Sequence, residues 1–204
     1  KKRLRWLIKL CNLTNFLRAN TMTINQQALT LIRDSIRDIP NWPEPGVMFR
    51  DISTLLQNPE AFRAVVDILV ERYRGQNITQ VAGLDARGFI FGPIVAYELG
   101  IGFIPIRKKG KLPYTTVSKS YTLEYGDINT VEMHIDAVHK DDKVLVIDDL
   151  IATGGTMLAA CSLITDLGAE VAECAVVSDL LYLNGSKLIR EQGFKVFSVL
   201  EYNN

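Results

Sequence analysis

Apolar residues fall in two rhythms along the chain, and the rhythm changes mark the elements. Ile24, Leu29, Leu31, Ile32 and Ile36 recur at helical spacing and predict a helix over 24–38, stopped before Pro40. Residues 40–46 hold three Pro and one Gly, which reads as an ordered loop with Trp42 as its packing anchor. A second helix is expected over 59–73, with Pro59 in its first turn. Shorter apolar runs then alternate with helical segments. Strands are predicted at 78–84, 103–107, 144–147, 170–177 and 195–200, and helices at 88–99, 157–167 and near 184–192. Alternation over 121–125 and 130–135 around Gly126-Asp127 predicts a β-hairpin. Residues 108–120 carry Lys108, Lys109, Lys111 and Lys119 with Gly and Pro, and read as a long mobile loop. Alternating β and α units imply a mostly parallel sheet flanked by helices, with the hairpin as its antiparallel irregularity.

The chemistry concentrates in residues 144–157. Four apolar residues, Val144 to Ile147, read as a buried parallel strand. Asp148 and Asp149 follow at its C-terminal end, where open α/β sheets place ligands. Ala152, Thr153, Gly154, Gly155 and Thr156 come next, then the helix. Two glycines let the backbone turn tightly so that successive N–H groups face one point, and the helix N-terminus adds partial positive charge there. That is a cradle for a phosphate monoester. The neighbouring carboxylates are acceptor-only and suit a pair of ribose hydroxyls. Donors for a phosphate beside acceptors for a diol describe a ribose 5-phosphate site. The absence of a Lys after Gly155 separates the motif from a P-loop, and the lack of GxGxxG spacing disfavours a dinucleotide fold.

Composition excludes several classes. A zero net charge gives no general affinity for nucleic acid, and no run is long and apolar enough to span a membrane as a helix. Three Cys at irregular spacing (11, 161, 174) suit reduced core thiols in a cytoplasmic protein. His134 and His139 are too few and too badly spaced for a metal site. The charge is uneven, because residues 1–21 carry six basic and no acidic side chains, leaving 17 basic against 23 acidic in the rest. Three readings compete for that segment: a transit peptide, a surface or membrane-contacting helix, or an extension upstream of a start at Met22. The last is favoured, which makes 1–21 an extension and 22–204 a single domain.

Residues 144–157 resemble the phosphoribosyl-pyrophosphate (PRPP) signature of the type I phosphoribosyltransferases. Three more segments narrow the resemblance: 45–52 (PGVMFRDI), 83–92 (GLDARGFIFG), and 106–113 (IRKKGKLP) followed by 120–126 (SYTLEYG). Together they are similar to the adenine phosphoribosyltransferases, in order and spacing from residue 24 to about 200. Lys109 and Ile151 depart from residues common in that family. The resemblance implies an α/β type I phosphoribosyltransferase fold with an inserted hairpin or mobile loop and a small N-terminal hood. It implies purine salvage: adenine and PRPP give AMP and pyrophosphate with Mg²⁺, in a cytoplasmic homodimer without nucleic-acid or membrane partners.

Residue roles follow from the same resemblance. Ala86, Arg87, Gly88, Arg107, Lys108 and Lys111 are expected around pyrophosphate. A strained or cis peptide is expected at Leu84-Asp85 or Asp85-Ala86. Asp148, Asp149 and 152–156 are expected to hold ribose and its 5-phosphate. Glu124, Arg107 and Tyr125 are the expected catalytic residues; a carboxylate at Glu124 suits an oxocarbenium-like cation or a proton on the purine. Val47, Met48, Phe49 and Arg50 form a loop edge expected to read adenine, with Leu150 or Ile151 covering the other face. Mg²⁺ is expected to bind mainly through PRPP and water, with no dedicated protein metal site. The rivals are a hypoxanthine, guanine or xanthine phosphoribosyltransferase, and a non-catalytic PRPP- or AMP-binding regulator on the same fold.

Overall fold

The computed structural model describes residues 26–122 and 128–203, and the chain divides into two compact units, Lys1–Ala64 and Val65–Asn204. In the first unit, helix α1 (Gln26–Asp34) ends earlier than its periodicity suggests, and strand β1 (Arg37–Pro40) follows. It pairs antiparallel with β2 (Met48–Asp51). Charge explains the switch from helix to strand. The register sets Asp38 opposite Arg50 and Arg37 opposite Asp51, and both pairs close as ion pairs. Opposite charges facing across a two-stranded ribbon favour that pairing. Ile36 fits either rhythm, so apolar spacing alone overran the helix end. The connecting loop is ordered as expected: Asn41 accepts from the Gly46 N–H, and the Trp42–Pro43 peptide is cis. A short helix α2 (Ser53–Gln57), absent from the expectations, precedes α3 (Pro59–Tyr73). Asn58 caps α3, its side-chain oxygen accepting from the N–H groups of Glu60 and Ala61.

The second unit holds a seven-stranded sheet in the order β5-β6-β4-β3-β7-β8-β9. Strands β3 (Gln80–Leu84), β4 (Gly102–Lys108), β7 (Lys143–Ile151), β8 (Glu170–Leu180) and β9 (Val196–Tyr202) are mutually parallel. Helices α4 (Gly88–Leu99), α5 (Gly155–Asp166) and α6 (Gly185–Glu191) connect them. Val144, Leu145, Val146 and Ile147 in the middle of the sheet are fully buried, as a continuous apolar run requires. Cys161 of α5 and Cys174 of β8 are free thiols in this core, with sulfurs 3.4 Å apart.

One expectation is corrected. Residues 108–120 are not a single long loop: β5 (Thr116–Thr122) occupies their second half and pairs antiparallel with β6 (Ile128–His134). Polar Lys and Ser residues masked a strand whose Val117 and Tyr121 pack on the core. Lys119 lies on the same face, and its amine reaches Asp166 of α5 at 3.1 Å. Residues 123–127, including Glu124 and Tyr125, lie outside the described residues.

Candidate active site

Strand β7 carries its ladder four residues past Ile147, so Asp148 and Asp149 lie inside the strand rather than beyond it. Register with β8 holds as far as Ile151 opposite Asp179. Then the chain turns: Gly154 takes φ +84°, which other residues adopt only with strain, and α5 starts at Gly155. The first N–H groups of a helix have no intrahelical acceptor. Residues 148–157 line a cleft of about 470 Å³, together with Asp85, Ala86, Arg87, Lys108, Tyr121, Asn129 and Val131. All of these belong to the second unit.

The carboxylates are placed at an electrostatic cost. Burial raises the Asp148 pKa well above the usual carboxylate range, and the charge of Asp149 adds to it. Burial also raises Asp149, against the pull of Arg87, whose Nε lies 2.6 Å from Oδ2. The Asp149 N–H donates to Asp148 Oδ1 at 2.9 Å. Two buried acceptors held this close gain from any ligand that brings hydroxyl donors.

Arg87 stands between β3 and α4, and the Asp85–Ala86 peptide before it is cis, one of the two bonds expected. Gly88 opens α4 and is buried against β7. Strand β4 delivers Lys108 to the lining. Arg107 and Lys111 are not part of that lining. The Arg107 guanidinium donates to Asp85 Oδ2 (3.2 Å) and to the Lys111 carbonyl (3.0 Å), so it braces a lining residue and the loop root. On β6, buried Glu132 accepts from the N–H groups of Lys111 (2.9 Å) and Leu112 (3.0 Å). Burial pushes its carboxyl up, but the N–H groups of Gly110, Leu112 and Lys111 outweigh that and hold it low.

Comparison with known proteins matches this arrangement. A family model described as a phosphoribosyl transferase domain matches residues 51–198. The chain is 56% identical over 181 residues to the adenine phosphoribosyltransferase of Photorhabdus laumondii, covering 89% of this chain and 98% of that protein. The crystal structure of adenine phosphoribosyltransferase from Rhodothermus marinus superposes with a TM-score of 0.79 at 45% identity, covering 87% of this chain and 100% of that one. That from Saccharomyces cerevisiae, complexed with an imino-altritol bisphosphate and adenine, gives 0.79 at 34% identity, covering 85% and 99%. The chain belongs to the adenine phosphoribosyltransferase family.

In this phosphoribosyltransferase the described residues bring one half of the expected constellation together. Asp148, Asp149, Leu150, residues 152–156, Ala86, Arg87 and Lys108 share the cleft, and Ile151 lines it as well. Val47, Met48, Phe49 and Arg50 belong to the first unit. They are not a loop edge: residues 48–50 are in β2. There the Phe49 ring meets Trp42 edge-on at 4.4 Å, and Arg50 pairs with Asp38. Trp42, expected as a packing anchor, makes this ring contact and is otherwise half exposed.

Tyr121 is a lining residue that sequence reasoning missed. Its hydroxyl accepts from the Thr156 hydroxyl at 2.8 Å, and its ring lies over Gly155. Tyr121 lies in the 120–126 segment that carries the family resemblance and in an alternating run, but neither assigned it a place in the site. Asn129 and Asp85 were also missed as lining residues. Among the described residues, no three His, Cys, Asp or Glu side chains gather as a metal cage.

Proposed function

We propose that the protein transfers the 5-phosphoribosyl group from PRPP to adenine, giving AMP and pyrophosphate, in purine salvage. One observation carries the reading: a diol-accepting carboxylate pair, a backbone phosphate cradle and two cations, Arg87 and Lys108, line one cleft. Each matches one part of PRPP. Residues 152–156 take the 5-phosphate through backbone N–H groups and the Thr153 and Thr156 hydroxyls. Asp149 and Asp148 accept from the ribose hydroxyls and hold the sugar in place. Ala86, Arg87, Gly88 and Lys108 bind the pyrophosphate. Arg107 and Lys111 stabilise the charge that pyrophosphate gains as it leaves.

Displacement at the ribose anomeric carbon builds positive charge on the ring. Glu124 is assigned to that cation or to the purine proton, and Tyr125 to the leaving-group side, on the family resemblance alone. Residues 47–50 and Leu150 are assigned to the base. Adenine offers an exocyclic amine and ring acceptors, so unpaired polar groups reject a 6-oxo purine. Among the described residues no three acidic side chains gather to cage an ion; Mg²⁺ would be held mainly by PRPP oxygens and water, with the cleft carboxylates Asp148 and Asp149 available to it. When bound, Mg²⁺ neutralises pyrophosphate charge. We read residues 22–204 as one phosphoribosyltransferase domain working as a cytoplasmic homodimer. No helix among the described residues is long and apolar enough to cross a membrane.

The test is AMP formation from adenine, PRPP and Mg²⁺, with hypoxanthine, guanine and xanthine as parallel acceptors. Turnover with adenine alone is expected. Turnover with a 6-oxo purine overturns the base assignment, and PRPP binding without turnover overturns catalysis.

A further inference from the structure

Behind the phosphate loop, on the side away from the cleft, lies the start of α6. Gly185 is buried there, following Asn184, whose φ is +59°. A Cβ on Gly185 would fall within 3.0 Å of the Ala152 carbonyl oxygen, the Thr153 carbonyl carbon and the Gly154 nitrogen. The converse holds: a Cβ on Gly154 would meet the Gly185 oxygen at 2.8 Å and its C and Cα at 3.2 Å. Every one of these atoms is main chain. No flexible side-chain end is available to move aside, so two backbones touch with nothing between them.

We infer that Gly185 is a positioning residue for the phosphate loop: its missing side chain sets where the N–H groups of 152–156 point. The direction of yielding follows from burial. Ser186 and Ile189 of α6 are buried behind Gly185, in a core packed without slack, while residues 152–154 face the open cleft. An added methyl group therefore pushes the loop into the cleft rather than the helix into the core. The consequence is specific. A ligand's 5-phosphate loses its donors, while groups held by Arg87 and Lys108 are untouched.

This inference rests on reading 152–156 as the 5-phosphate site, and one measurement separates the two. The dissociation constants of AMP and adenosine are measured by calorimetry on the full chain, wild type and Gly185→Ala, with pyrophosphate as a third ligand. Wild type is expected to prefer AMP strongly. In Gly185→Ala that preference falls by about 10- to 100-fold, since a displacement near 1 Å costs that much, while pyrophosphate affinity holds. Leu188→Ala, at an exposed position of the same helix, leaves the preference unchanged. If wild type binds AMP no better than adenosine, the phosphate-site reading fails and the inference with it. If wild type prefers AMP and Gly185→Ala keeps that preference, the inference alone is overturned. Should Gly185→Ala not fold, Asn184→Val shifts the same approach by straining the positive-φ residue before it. A smaller loss of AMP preference supports the inference, and an unchanged preference overturns it.

Discussion

The β7–α5 segment and the β4–β6 segment both face the cleft, and they are built on opposite principles. From Asp148 to Thr156 the donors proposed for a phosphate are main-chain groups, held by a strand ladder, a left-handed glycine and a helix start. From Arg107 to Glu132 the geometry is held by charged side chains: Arg107 on Asp85 and on the Lys111 carbonyl, and Glu132 on two loop N–H groups. The first is a shape, spoiled by adding atoms. The second is a set of charges, spoiled by removing them. Their pH dependences also oppose. Asp148 and Asp149 titrate higher in the folded chain than free carboxyls, so folding favours their protonated forms and their contribution to stability falls as pH climbs past the ordinary carboxylate value. Glu132 titrates lower, so its contribution is present above the ordinary glutamate value and is lost as pH falls through its folded one.

The largest expected effect comes from the carboxylate pair. Asp149→Asn should lower kcat/KM by about 10²-fold, the loss of roughly 3 kcal/mol of charged hydrogen bonding to the ribose. Asp148→Asn should raise Tm near neutrality and much less at about pH 4, where the folded carboxyl already carries its proton. A Tm gain that is equal at both pH values breaks the proposed contrast.

Next is Arg87→Lys. It keeps the charge but loses the planar fork, so KM for PRPP should rise about tenfold with a smaller change in kcat, checked by steady-state kinetics. On the other segment, Glu132→Ala leaves the Lys111 and Leu112 N–H groups without their acceptor. Tm should drop by about 3–8 °C near neutrality, and Glu132→Gln, which still offers an acceptor, should recover part of it. Equal losses in both variants would mean that charge, not acceptance, holds the loop root. The smallest effect tests the link between the segments. Lys119–Asp166 is a solvent-exposed pair joining β5 to α5, and Lys119→Ala should change unfolding free energy in urea by less than about 0.5 kcal/mol.

Where the apolar rhythm was strong, the elements stood out in the residues. The helices over 59–73 and 88–99 match residue for residue, because Pro59 marks one start and Gly100, at φ +71°, ends the other. That Asp148, Asp149 and residues 152–156 would share one place was equally plain, since they are contiguous in the chain. What escaped depended on partners distant in the chain. β5 looks like a loop until β6 supplies its ladder, and Arg37 and Asp38 look helical until Asp51 and Arg50 face them. Glu132 and Gly185 carry no motif at all. One matters for three N–H groups some 20 residues away, the other for a loop 30 residues earlier that only the fold brings to its back.

The Arg87–Asp149 ion pair gives the cleft a built-in competitor. A small anion arriving at Arg87 must displace a carboxylate already 2.6 Å away, and in doing so strands a buried negative charge. On the proposed roles, PRPP would leave nothing stranded, because the molecule that takes the arginine would bring a diol to the freed aspartate. On those roles, the Arg87–Asp149 pair would favour a ligand that brings an anion and a diol together over a lone phosphate.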